Sequence, residues 1–283
     1  MNVLHLTMWV VGDYFMWNKL KSLLPIILFL SSTYVCAENF SDTLTKKGME
    51  AYRSGHIKEA VKWLELAAEE ENIAAMVELA FIYHSEKNYK SALKWAYAGA
   101  EYNDSEAFYF LGVMHEMSQG VKKDLDEALK WYFLSSSKGK VGSAYSIGKI
   151  YQSETKQDYQ TAIKWFKIAA EKGHTEAKYE LGYMFYDGLG VEKNYKTAAN
   201  WYTLAAEVGS VDSQFNLAIM HYHGQGVLKS NVLSYMWFDI LSKIGDENAE
   251  ERKKFVAQQM TQKQIAQAQK LARDCVAKDY KDC

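Results

Sequence analysis

Proline is almost missing from this chain: Pro25 is the single one among 283 residues, where average usage of about 5% would supply roughly fourteen. Beyond it there can be no proline-rich linker or polyproline segment, and no later helix is stopped by proline. Cysteine is scarce, at Cys36, Cys275 and Cys283 only. A charge of one sign is missing as well. Thirty-three basic residues face thirty-five acidic ones, for a formal charge of −2, which excludes the basic excess of a nucleic-acid binder. Long apolar runs are short too: Leu23–Leu30 falls well below the roughly twenty residues that span a bilayer. What is present is 48% hydrophobic and 24% charged residues with 20 Tyr and 8 Trp. That composition excludes a disordered chain and fits a soluble, helical one.

The segment Met16–Ala37 reads MWNKLKSLLPIILFLSSTYVCA. Lys19 and Lys21 precede the short apolar core, and Val35 and Ala37 supply the small residues of a cleavage site. This is the three-part layout of a secretory signal peptide over residues 1–37, with Met16 as an alternative start. An uncleaved anchor is the competing interpretation; a lipid-modified Cys36 fits poorly behind Thr33, Tyr34 and Val35. Cleavage after Ala37 leaves two cysteines, Cys275 and Cys283, an even count that favours one disulfide in an oxidising compartment over two free thiols. Eight residues of straight helix would hold their Cα atoms about 12 Å apart, so a bridge requires the helix to end near Ala277–Lys278 and reverse through Asp279 and Tyr280.

Self-similarity dominates the remainder. Trp63, Trp95, Trp131, Trp165, Trp201 and Trp237 follow one another at spacings of 32, 36, 34, 36 and 36 residues. Seven residues before five of them stand Asn88, Asp124, Asp158, Asn194 and Ser230, all good helix N-caps, with His56 as the exception. Asp124 and Glu127 are spaced as a capping box. Gly139, Gly173, Gly209 and Gly245 sit where one helix ends and the next begins. In the interval, Leu79, Leu111, Ile147, Leu181 and Leu217 each precede a small residue, among them Gly112, Gly148 and Gly182, and a ring follows four residues later. Large, tiny and aromatic at helical spacing lets two helices interlock closely. The turns SQGV, GLGV and GQGV (118–121, 188–191, 224–227) follow, and the shorter spacings are repeats that lack this turn.

These residues resemble the Sel1-like repeat family, a relative of the tetratricopeptide repeat; EAKYELGYMFYDGLGVEKNYKTAANWYTLAAEVG (176–209) carries nearly every family position in one run. The resemblance implies an all-α, right-handed superhelical solenoid of about six helix-pair repeats over 38–245, and polar capping helices with a Cys-containing tail over 246–283. Ser118, Ser143 and Ser213 depart from the family pattern. Together with the signal layout, the resemblance implies an exported bacterial protein, periplasmic or secreted, acting as a monomeric, non-catalytic interaction scaffold with no cofactor. Its expected partner is a protein or peptide, with no nucleic acid and no membrane span in the mature chain.

Some cysteine-rich family members are linked to β-lactam or peptidoglycan chemistry, which makes S-x-x-K worth testing. It occurs as SALK (91–94), SSSK (135–138) and SETK (153–156), but no K-T-G or S-D-N accompanies it. His221 and His223 form H-x-H, yet residues two apart on a helix do not share a face, so no metal is expected. By analogy with tetratricopeptide repeats, the inner wall would carry Val77, Tyr109, Tyr145, Tyr179 and Phe215, then Phe81, Val113, Lys149, Tyr183 and Ile219. Six of these ten are aromatic, suited to stacking on a peptide or on sugar rings. Rings at helical spacing equally suit simple packing, and both interpretations stand at this point.

Overall fold

The computed structural model describes residues 40–283; the signal-peptide segment, Pro25 and Cys36 lie outside them. Fourteen helices and no strand occur among the described residues, α1 spanning 40–53. There follow α2 (Ile57–Glu69), α3 (Ile73–Ser85), α4 (Tyr89–Glu101), α5 (Ser105–Glu116), α6 (Leu125–Ser137), α7 (Val141–Gln152) and α8 (Tyr159–Glu171). After these come α9 (Thr175–Asp187), α10 (Tyr195–Ala206), α11 (Val211–His223), α12 (Asn231–Lys243), α13 (Glu247–Ala257) and α14 (Gln262–Ala277). The fold is an all-α solenoid of consecutive helix pairs. It groups into two compact units, one reaching Met114 and including Ser118–Lys122, the other comprising His115–Met117 and Lys123–Cys283.

Each helix start is set by its cap. Asn88, Asp158, Asn194 and Ser230 each accept a hydrogen bond from the backbone N–H three residues on, and Asp124 accepts from Asp126 and Glu127; His56 caps nothing. The backbone N–H of each of these five caps donates to a ring-bearing residue of the preceding helix: Tyr83, His115, Tyr151, Phe185 or His221. This bond explains why Asp124 and Glu127 form no reciprocal box. The Asp124 N–H is already committed to His115, and the Glu127 carboxylate turns to Lys130 at 2.7 Å. The reciprocal box that does form joins Thr261 and Gln264.

Eight residues after every repeat tryptophan the backbone turns left-handed, at Glu71, Asn103, Gly139, Gly173, Gly209 and Gly245. The next residue caps the following helix through Asn72, Asp104, His174, Ser210 and Asp246, with Lys140 the one lacking a side-chain cap. Glycine is the usual solution to such a conformation; Glu71 and Asn103 accept it without one.

In the first unit, Leu44, Leu64, Leu79 and Ile82 centre the core. Gly48 lets α1 approach α2, since a Cβ there would fall 2.6 Å from Leu64 Cγ. In the second unit the same device recurs: a Cβ at Gly148 would lie 2.5 Å from the Phe166 ring, and at Gly182 2.6 Å from the Tyr202 ring. Gly112 is buried as well. Gly48, Gly148 and Gly182 each meet the residue after a tryptophan. Leu64, Ala96, Tyr132, Phe166, Tyr202 and Phe238 are all buried, whereas Trp63, Trp95, Trp131, Trp165 and Trp201 are half-buried and Trp237 alone is fully covered.

At the C-terminal end, α13 and α14 pack on α12. Helix α14 stops at Ala277, and Asp279, Tyr280 and Asp282 take positive φ. This reversal brings Cys283 back to Cys275 in a disulfide with Cα atoms 5.3 Å apart.

Candidate functional site

The expected inner-stripe residues fall at fixed offsets from the cap of α3, α5, α7, α9 and α11. Phe81 and Tyr109 belong to the first unit. Phe81 is 43% exposed and meets Phe110 edge-on at 5.0 Å, and Tyr109 is half-buried.

Tyr145, Lys149, Tyr179, Tyr183 and Phe215 belong to the second unit, where the stripe resolves into two columns. The first is committed to packing. Tyr145, Tyr179 and Phe215 approach Phe166, Tyr202 and Phe238 with ring centroids 5.8, 5.8 and 5.3 Å apart. Tyr145 also stacks on His174 at 4.4 Å. Burial holds the His174 imidazole below its ordinary pKa against the pull of Glu176; its Nδ1 lies 3.4 Å from the Ala177 N–H, which it caps when neutral, and 3.1 Å from the Glu176 carboxylate, which it pairs when protonated.

The second column is Lys149, Tyr183 and Ile219; Lys149 and Tyr183 are partly exposed, while Ile219 packs against the core cluster with Phe215. Tyr183 is 38% exposed; burial, then the neighbouring Asp187 carboxylate, pushes its hydroxyl pKa up. Beneath it lies Glu180, only 7% exposed. Its two oxygens accept from Lys149 Nζ and Gln152 Nε2, each at 2.7 Å. A carboxylate so buried requires such partners. With Tyr159, Tyr179 and Leu189 these residues line a groove of about 390 Å³. Chemically the groove offers ring faces, a partly exposed ammonium and hydrogen-bonding phenols, which suits the binding of a polypeptide. Glu180 and Gln152 were not among the residues expected from sequence. Their signal, a carboxylate just before the Leu181 anchor, is not repeated in most other repeats.

Residues of the S-x-x-K motifs are engaged elsewhere. Ser135 accepts from Ser143 at 2.6 Å in the core, and Ser153 donates to the Ile150 carbonyl while Lys156 reaches Asp126. Lys94 lies over the Trp95 ring, 4.5 Å from its centroid. His221 Nδ1 meets the Leu228 carbonyl at 3.2 Å, and no metal-binding cluster occurs among the described residues. No described helix is long and apolar enough to cross a membrane.

Capped helix pairs, a glycine under a ring in successive pairs and a left-handed link between pairs define a helical-repeat protein. The Sel1 repeat model matches residues 57–72, 73–104, 105–140, 140–174, 175–210 and 211–246, and the chain belongs to the Sel1 repeat family, whose members are generally protein-interaction scaffolds. The structure is similar to that of a protective antigen of uropathogenic Escherichia coli with an SLR fold. The two share 27% identity and a TM-score of 0.72, over 85% of this chain and 54% of the antigen. The chain thus spans about half of that relative's length. A Sel1 repeat protein from Oxalobacter formigenes, at 24% identity and TM-score 0.67, shares the fold over 82% of this chain and 99% of its own. No curated protein matches.

Proposed function

We propose that this protein is an exported, non-catalytic, monomeric scaffold that binds a protein or peptide partner along the outward column of its second unit. The observation that carries this proposal is the split within the stripe. Tyr145, Tyr179 and Phe215 are tied into the core, while the partly exposed Lys149 and Tyr183 stand four residues on, at the same register of the alternate helices α7 and α9, with Ile219 at that register of α11. A rigid floor with an adaptable front is what a solenoid offers a partner. Export is supported by the signal layout of residues 1–37 and by the Cys275–Cys283 bridge, and it predicts a periplasmic or secreted species that begins at Glu38 by mass spectrometry.

Tyr183→Ala tests the binding surface, because it removes an exposed ring. Affinity capture from a bacterial envelope extract should recover a partner with the native protein and lose it with this variant, at an unchanged thermal midpoint. Unchanged capture would overturn the assignment. Tyr179→Ala serves as the contrast, since it removes support from Tyr202 and should lower stability.

A further inference from the structure

The outward column does not end with the last repeat. Residues nine positions after the caps Lys140, His174, Ser210 and Asp246 are Lys149, Tyr183, Ile219 and Phe255. Helix α13 (ENAEERKKFVA) therefore continues the register, although it belongs to the cap. A helix whose only task is to close an array presents a polar outer face. Here Val256 fills the core while the adjoining Phe255 remains 48% exposed. Phe255 borders a groove of about 450 Å³ lined by Ile219, Tyr222, Phe238, Arg252 and Val256, with His223 at its edge. The Tyr222 ring stands 5.7 Å from that of Phe255, and its hydroxyl is held by Gln259 at 2.9 Å. The apolar floor is thus built by the fold rather than improvised by loose side chains.

Charge narrows the occupant. Glu250 is engaged by Lys253 and Lys254, and Asp239 by Lys243 and Lys253. Arg252 has no ion-pair partner among the described residues. Lys149, the cation of the column itself, already serves Glu180. An unpaired guanidinium beside an apolar hollow is a bidentate seat for a carboxylate. The column also stops here, because α14 packs on α12 instead of extending it. A chain lying along the column has no further helix to follow beyond Phe255.

We propose that this groove holds the C-terminal residue of the partner, its large apolar side chain against Ile219, Tyr222 and Phe255 and its free α-carboxylate on Arg252. This rests on the scaffold function proposed above and adds the chemistry of the bound end. The probe is a fluorescein-labelled octapeptide of Gly and Ser ending in Phe with a free carboxylate, measured by fluorescence anisotropy on the full-length protein. Comparators are its C-terminal amide, the same peptide ending in Ser, and an amide-ended peptide with Asp before the Phe.

The free-acid Phe peptide should bind saturably below about 1 mM. The amide should bind about tenfold more weakly, the scale of one charge-assisted pair, and the Ser-ended peptide about tenfold more weakly through lost apolar burial. Arg252→Gln should erase the acid–amide difference, and Phe255→Ser should weaken every Phe peptide, both with unchanged thermal midpoints. Equal binding of acid and amide overturns the proposal, as does absence of saturation. Tighter binding of the Asp amide would overturn it in favour of an acidic side chain. Self-association abolished by Phe255→Ser would assign the groove to a second copy of the chain instead. Loss of partner capture with Tyr183→Ala alongside a silent peptide titration would remove this inference and leave the scaffold function standing.

Discussion

Ser135 and Ser143 occupy positions where most other repeats have alanine, and both are fully buried. They are tolerated because they satisfy each other: Ser143 Oγ donates to Ser135 Oγ at 2.6 Å. Ser135→Ala alone leaves a buried hydroxyl donor without its acceptor, which should cost about 1–3 kcal/mol in urea unfolding. Ser143→Ala should cost less, and the double variant should recover most of the loss, because paired polar groups can be replaced together at little cost. Additive losses would show that the pair is not coupled. Gly182 presents the opposite constraint. Its missing side chain is the space that Tyr202 fills, so Gly182→Ala should destabilise by about 1–3 kcal/mol through overpacking, measured by the same unfolding experiment.

At the scale of single helices, the junction between α12 and the cap depends on charge. Glu250 receives Ser242 Oγ at 2.5 Å and Lys253 Nζ at 2.6 Å, and Lys253 together with Lys243 also faces the buried Asp239. The Lys253 ammonium, followed by the Ser242 hydroxyl, holds the Glu250 carboxyl at a pKa of about 2, below its ordinary 4.5. A depressed folded value means that the contribution to stability is present above pH 4.5 and lost as the pH falls towards 2. The thermal midpoint should therefore decline across that window, and Glu250→Gln should flatten the decline. A variant that retains the full acid sensitivity would place its origin elsewhere.

The helices were legible in the sequence because each cap, each left-handed link and each glycine–ring pair recurs at one interval. The tryptophans were the loudest signal of that interval but not the deepest residues. Rarity made them visible, whereas the residue after each varies between Leu, Ala, Tyr and Phe and so hides its uniform burial. Glu180 was illegible for a related reason. Its buried ion pair depends on Lys149 and Gln152, about thirty residues earlier, and periodicity carries no such pairing. Phe255 escaped notice because it lies in a segment whose composition announces a polar cap.

For the molecule as a whole, the repeat construction decides how damage spreads. Each pair in the second unit contacts mainly its neighbours, so stability there is close to a sum of local terms. Among the described residues α13 and α14 pack chiefly on α12, and they should be the first part of that unit to open. The Cys275–Cys283 bridge, with a sequence separation of 8, closes a small loop, for which the chain-entropy model gives about 2.5 kcal/mol. It also holds Tyr280 against the cluster that contains Leu241, Ala268 and Ala272. Cys283→Ser should therefore accelerate backbone hydrogen exchange in α13 and α14, by roughly 70-fold if the full 2.5 kcal/mol acts on local opening. Exchange in α7–α10 should remain unchanged, because those helices keep their neighbours. Equal acceleration throughout α7–α14 would show instead that this unit opens cooperatively, with the bridge stabilising all of it.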